Sequence, residues 1–412
     1  MSATTMSFGK KLVARRTAVG GLERYTSRQK VECEQCGSPT GLVASLKIAQ
    51  IAPLYEAVPP RLYGGTERIV AHLTNALVEL GHEVTLFASA EAHTRATLVP
   101  VRDQAIRLDR CPLKSDLAAH MSMLHELHSR RHEFDLLHFH VDLIHFPFFE
   151  DFAARTVTTL HGRLDLKDLP EAYSRWHDYP LVSISDAQRK PLASANWLAT
   201  IHHGLAEGVY SFNKVPSDPY LAFLGRISPE KRPDRAIAIA KRLGMRLKIA
   251  AKVDPVDAGY FRDEIKPLLA DPLIEFIGEI GDGEKSAFLG NANALLFPID
   301  WPEPFGLVLI EAMACGTPVI AWRCGSVSEI IDHGKTGFIV DSEDEAVRAV
   351  LELDQLDRRT VRRVFQKRFT ADVMARNYLR LYWRLCGAAG TADVRRRVFG
   401  DRIQNSMNAN PG

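Results

Sequence analysis

Short apolar runs alternate with amphipathic stretches along most of this chain. Leu46-Lys47-Ile48-Ala49-Gln50-Ile51-Ala52-Pro53 has the length and closing proline of a buried strand. Tyr63-Gly64-Gly65-Thr66-Glu67-Arg68 follows and leads into an amphipathic helix that runs to about Leu80 and stops at Gly81. Strands are predicted at Glu83 to Phe87, Leu136 to His140, Thr156 to Leu160, Leu181 to Ile184 and Leu198 to Ile201. Helical stretches lie between most of them, Asp116 to Arg131 being one. Strands that alternate with helices imply a mainly parallel sheet covered on both faces, an α/β class.

Lys214-Val215-Pro216-Ser217-Asp218-Pro219 has the composition of a linker. The pattern then restarts with a strand at Tyr220 to Leu224 and a helix from Pro233 to Leu243, proline standing first. More strands are expected at Leu247 to Ala250, Ile274 to Ile277, Ala294 to Phe297, Val319 to Trp322 and Gly337 to Val340, and a long last helix at about Ala371 to Leu385. The organisation read from this is a basic, aperiodic and disordered extension over 1–45, one α/β domain over 46–215, a second over 216–370, a helix over 371–385 and a flexible tail over 386–412 that carries Arg395-Arg396-Arg397. Two such domains on a linker leave a cleft between them, where ligands usually bind.

Composition narrows the choices. A length of 412 residues with 46% hydrophobic content supports two or three ordinary cores. A net charge of +2 gives no basic field, so nucleic acid is not an expected partner. Six cysteines in so long a chain do not suggest a disulfide framework, and Cys33-Glu34-Gln35-Cys36 has no second pair to complete a zinc site. No run approaches the roughly 20 apolar residues of a membrane span, and no apolar signal segment opens the chain. The expected location is the cytoplasm, with at most peripheral contact with a membrane through the basic termini.

The candidate chemistry gathers near residue 300. Glu303 precedes Pro304, so it belongs to a loop, and Glu311 lies seven intervening residues later on a helix that is apolar on nearly every face from Phe305 to Cys315. A buried carboxylate needs a partner. The backbone N–H groups at the start of that helix favour an anion, and carboxylates for hydroxyls beside such a cradle suggest a nucleotide sugar. A satisfied structural pair would show the same spacing. Gly225-Arg226 closes the first strand of the second half, and Lys231 follows five residues later; a guanidinium forks onto phosphate oxygens and an ammonium adds a mobile charge, though loop cations also serve merely as solvated surface. His161-Gly162 ends a strand of the first half and would point into the cleft of a doubly wound sheet. His138, His140 and His145, and His120, His125, His128 and His132 before them, lack a carboxylate or cysteine spaced to complete a metal site, so no metal is expected. Gly64-Gly65 is not the G-x-G-x-x-G of a dehydrogenase, yet a glycine pair ahead of a helix allows close contact with a phosphate or an acceptor.

Taken together, Glu303-x7-Glu311 within Pro304-Phe305-Gly306-Leu307, Gly316-Thr317-Pro318-Val319, Gly225-Arg226 with Pro229-Glu230-Lys231, Thr336-Gly337-Phe338 and the early Gly64-Gly65 resemble the retaining glycosyltransferases of family 4. The resemblance spans about Leu46 to Leu385. It implies a glycosyltransferase-B fold, two Rossmann-like doubly wound domains facing each other across a cleft, with the last helix crossing back to the first domain. It also implies a nucleotide-diphospho-sugar donor on the second domain and a saccharide, glycolipid or small-molecule acceptor on the first. By the same resemblance, Arg226 and Lys231 would neutralise the departing diphosphate and Glu311 would hold the ribose hydroxyls. Glu303, with the Phe305, Gly306 and Leu307 backbone, would hold the donor sugar, His161 would sit beside the reacting carbon, and Gly64 and Gly65 would line the cleft. Cys324-Gly325 and Ser328-Glu329 stand where many relatives carry Gly-Gly and Pro-Glu.

The implied reaction is same-face transfer of a hexose-type sugar to an acceptor hydroxyl without cofactor or divalent metal, in polysaccharide, glycolipid or glycoside synthesis. Its main demand is stabilising a negative leaving group. A non-catalytic nucleotide-sugar-binding protein and a phosphorylase or hydrolase on the same fold are the rival expectations.

Overall fold

The computed structural model describes residues 45–388; the early C-x-x-C pair and most of both expected tails lie outside that range. Two parallel sheets organise the chain. The first holds β1 (Lys47–Ile51), β2 (Glu83–Ser89), β3 (Thr97–Arg102), β4 (Leu136–Phe139), β5 (Thr156–Thr159), β6 (Leu181–Ser183) and β7 (Trp197–Thr200), in the order β3-β2-β1-β4-β5-β6-β7. The second holds β8 (Tyr220–Arg226), β9 (Leu247–Lys252), β10 (Ile274–Gly278), β11 (Ala292–Phe297), β12 (Val319–Trp322) and β13 (Gly337–Val340), in the order β10-β9-β8-β11-β12-β13. In each sheet the strand order reverses at one place, between β1 and β4 and between β8 and β11. Open α/β sheets bind ligands beyond the carboxyl ends of the strands at such a reversal.

The sequence reading missed β3. Its central Pro100 argues against a strand, but β3 is the outermost strand of its sheet, where a missing N–H is tolerated. The helix expected from Phe305 spans Leu307–Ala314 instead, because Gly306 ahead of it takes the left-handed φ of +79°. The last helix, Ala371–Ala388, runs three residues beyond Leu385.

That last helix joins the two halves. Met374, Ala375, Tyr378, Leu381, Tyr382 and Cys386 recur at helical spacing and are all at most 5% exposed. This stripe packs on the helix Gly65–Glu79 over the first sheet. One continuous core includes Ile48 and Leu73 of the first half, Phe305 and Leu309 of the second, and this stripe. Just before the helix, the backbone of Leu205 pairs with Phe369 and Ala371, its N–H donating at 2.9 Å and its carbonyl accepting at 2.9 Å. Among the described residues no helix is long and apolar enough to cross a membrane.

Candidate active site

The carboxyl ends of both sheets open onto one cavity of about 750 Å³, inside the range of about 300–1,000 Å³ usual for small-molecule sites. Gly64, Gly65, His161, Arg226, Lys231, Glu303, Phe305, Gly306, Leu307 and Glu311 all line it. Residues drawn from distant parts of the sequence thus share one concave surface.

Arg226 is the last residue of β8. Its guanidinium lies 3.1 Å from Glu230, 3.4 Å from Asp254 and 3.7 Å from Asp257, so three carboxylates hold it in place. Lys231 ends a short 3-10 turn, Pro229–Lys231, and its ammonium is ion-paired to Glu303. The ammonium also sits 5.1 Å from the Trp301 ring centre and 5.6 Å from that of Phe297, two favourable cation–π contacts. Glu303 accepts a second hydrogen bond from Trp301 Nε1 at 3.0 Å.

The loop around Glu303 is clamped from the next turn. The backbone N–H of Ser326 donates to the Glu303 carbonyl at 3.1 Å, and Ser326 Oγ donates to the Phe305 carbonyl at 2.8 Å. Gly325 makes this fit: a Cβ there would fall 2.4 Å from both the nitrogen and the carbonyl oxygen of Glu303. Of the Cys324-Gly325 pair, the glycine falls where the contact requires it.

Glu311 is 1% exposed. Its Oε1 accepts from the Tyr210 hydroxyl at 2.8 Å and from Lys285 Nζ at 3.1 Å, while its Oε2 has no partner. Burial alone would push this carboxyl up; Lys285 and nearby Arg68 outweigh it and hold the group below the ordinary value. Arg68, itself buried, donates to Asp282 at 3.0 Å and to the Leu62 carbonyl at 2.8 Å, tying the helix Gly65–Glu79 to the helix Asp282–Gly290 across the cavity. The result is a charged, buried carboxylate on the cavity lining with one oxygen unpartnered.

On the opposite wall, His161 follows β5. Its Nε2 lies 2.9 Å from His140 Nδ1, and its ring stacks on that of His203 with centres 5.2 Å apart. Burial lowers its pKa to about 3, so the imidazole is neutral at physiological pH. Asp142, at the end of the loop after β4, also faces the cavity. It takes a left-handed φ of +51° and is exposed.

Among the described residues no group of three or more His, Cys, Asp or Glu side chains could hold a metal ion. His138 and His145 are instead bonded to hydroxyls, at 2.7 Å to Thr159 and at 3.1 Å to Thr158. His120 accepts the N–H of Leu54 at 3.2 Å. Sequence reasoning missed Tyr210 and Lys285, which lie far from any motif, and Arg68 and Asp142, which follow Gly64-Gly65 and His140 closely but meet the site only through the fold.

Fold and site together define a class. The two sheets are the Rossmann-like halves of a glycosyltransferase-B fold. The same fold is seen in the solved structure of Anabaena HepE in complex with UDP and glucose, which is 16% identical with a TM-score of 0.64 over 82% of this chain and 99% of that one. The family model described as Glycosyltransferase Family 4 matches residues 63–256, and that described as Glycosyl transferases group 1 matches residues 210–366. The chain belongs to family 4 of the glycosyltransferases.

Among its relatives, the D-inositol 3-phosphate glycosyltransferase of Nocardia farcinica is 32% identical over 201 residues, 42% of this chain and 43% of that protein. The match thus spans less than half the length of that relative. The phosphatidyl-myo-inositol mannosyltransferase of Mycolicibacterium smegmatis is 25% identical over 384 residues, 83% of this chain and 95% of that protein.

Proposed function

We propose that this chain is a retaining glycosyltransferase that moves a hexose-type sugar from a nucleotide-diphospho-sugar to an acceptor hydroxyl without a divalent metal. The observation that carries the reading is one cavity lined by Arg226 and Lys231 among its cations and by the buried Glu311, one of whose oxygens has no partner. Cations suit a diphosphate, and a charged carboxylate oxygen suits a pair of ribose hydroxyls. The HepE complex with UDP and glucose supports this class of donor. The inositol-modifying relatives support a hydroxyl-bearing acceptor, a saccharide, a glycolipid or a small polyol.

In this reading the diphosphate takes Lys231 from Glu303 and shares Arg226 with its three carboxylates. The N–H groups at the start of the helix Leu307–Ala314 add positive potential where the leaving group gains charge. Glu303, released, accepts hydrogen bonds from sugar hydroxyls, and His161 stands beside the reacting carbon on the first half. Glu311 serves the nucleotide, so the pair of carboxylates is not the nucleophile and acid of a glycosidase. The acceptor attacks from the face that the phosphate leaves, and a departing phosphate oxygen takes its proton. Polysaccharide, glycolipid or glycoside synthesis is the setting we favour, in the cytoplasm with at most peripheral membrane contact.

The test is a panel of uridine, guanosine and adenosine diphospho-sugars incubated with the purified protein, read as slow release of the nucleoside diphosphate. Release from one donor, faster with added acceptor, supports the reading. Binding without turnover on any acceptor would favour a non-catalytic binding protein, and inorganic phosphate as the best acceptor would favour a phosphorylase.

A further inference from the structure

A chain of buried polar groups runs from the last helix to the cavity. Tyr382 and Tyr378 of the helix Ala371–Ala388 reach under the first sheet, each at most 1% exposed. The Tyr382 hydroxyl lies 2.7 Å from His138 Nδ1 and 3.4 Å from Gln50 Nε2. Gln50, on β1 and fully buried, places Nε2 also 3.3 Å from His138 Nδ1 and its Oε1 2.8 Å from His140 Nε2. His140 Nδ1 then meets His161 Nε2 at 2.9 Å. On the other branch, His138 Nε2 meets Thr159 Oγ1 at 2.7 Å, and Thr159 meets the Tyr378 hydroxyl at 2.8 Å.

The chain admits two proton arrangements, and they differ in cost. In the first, Gln50 points one amide hydrogen at the closely spaced pair of the Tyr382 hydroxyl and His138 Nδ1 and accepts from His140 Nε2–H. His140 Nδ1 is then bare and must accept, so His161 carries its proton on Nε2. In the second, the amide is flipped and every proton runs the other way. One Gln50 N–H lacks an acceptor in both arrangements, but in the second His161 must also carry its proton on Nδ1, an atom that is buried and has no partner. The second arrangement therefore orphans one more buried N–H than the first, which folded proteins rarely accept, whereas the first leaves His161 with only a bare nitrogen acceptor.

We infer that Gln50 and Tyr382 are positioning residues for His161: acting through His140, they fix its imidazole as the Nε2–H tautomer with Nδ1 bare. The part of the chain that crosses back from the second half thereby sets the hydrogen-bonding state of a residue at the cavity wall of the first. Its bearing on turnover rests on the reading of the cavity as a sugar-transfer site; the tautomer does not.

The test is the imidazole nitrogen spectrum of the full-length protein labelled with ¹⁵N-histidine, with His161→Gln for assignment. The expected result is a proton-bearing Nε2 and a bare Nδ1 on His161 in the wild-type protein, and loss of that single state in Gln50→Met, which keeps the volume and removes the amide. Tyr382→Phe should leave the fold intact and disturb the same signals. In the donor-release assay both variants should lower kcat at least about tenfold with donor KM changed less than about threefold, as for loss of a group that orients a histidine. A wild-type His161 protonated on Nδ1, or variants that leave tautomer and kcat unchanged, would overturn the inference even should Gln50→Met not fold. Absence of turnover in the wild-type protein with the expected tautomer would instead overturn the transferase reading and the kinetic part alone.

Discussion

Lys231 and Glu303 neutralise each other inside the cavity, their side chains only 16% and 13% exposed. A diphosphate that takes the ammonium therefore frees the carboxylate for sugar hydroxyls in the same event. Under this account Arg226→Ala and Glu303→Gln each cut turnover by at least about a hundredfold, the scale of losing one electrostatic contact to a transition state. Steady-state donor release measures both. Unchanged rates in the two variants would refute the assignment.

Glu311 makes a separate prediction about stability. It is buried against Lys285 and near Arg68, so Glu311→Ala leaves two cations facing an emptied site. Removing one partner of a buried pair costs about 3–5 kcal/mol, and urea unfolding of the variant should show a loss of that size. The milder Glu311→Gln should fold and bind nucleoside diphosphate at least about tenfold more weakly, having lost a charged acceptor. A variant that binds as tightly as wild type would remove the ribose from Glu311.

Acid should weaken the fold before it affects any single catalytic group. His138, His140, His145, His161 and His203 are all buried with pKa values pushed down by burial, His161 to about 3. Unfolded, each binds a proton near pH 6.5; folded, each stays neutral until far lower pH. The unfolded state thus holds more protons below pH 6.5, and stability present above that value is lost as pH falls. Each such group adds to the slope of stability with pH once the unfolded chain is protonated. Tm should drop steeply between pH 7.5 and 5.5, and a flat Tm over that span would contradict these environments.

Turnover should survive a chelator. In the proposed reading Arg226, Lys231 and backbone amides meet the charge on the leaving group, so millimolar EDTA should leave donor release within about twofold of its untreated rate. A loss restored by magnesium or manganese would show that the cations on the chain are not sufficient.

How much was legible in the sequence followed locality. Glu303, Glu311, Arg226 and Lys231 sit in short motifs punctuated by proline and glycine, and those segments fold into strand ends and one helix start. Tyr210, Lys285 and Arg68 surround Glu311 from three other segments; nothing nearby in sequence marks the first two, and the Gly64-Gly65 pair before Arg68 does not say that it reaches Glu311. Gln50 and Tyr382 were even less visible, since Gln50 reads as a polar residue in an apolar strand and Tyr382 as part of the apolar stripe of an amphipathic helix, and they meet across 332 positions. The strand β3 was hidden by Pro100, a signal that holds for central strands and fails at a sheet edge. Even Arg226, read correctly as a cation at a strand end, gave no hint that Glu230, Asp254 and Asp257 would share it.

The central claim is that the cations of the second sheet grip a pyrophosphate between the two halves. Crystals grown with the nucleoside diphosphate of the best donor measure this directly. The account predicts density in the cavity with phosphate oxygens on Arg226 and Lys231, the ribose on Glu311 and the Lys231–Glu303 pair opened. A cavity left empty at saturating ligand, or a nucleotide bound elsewhere, would contradict it.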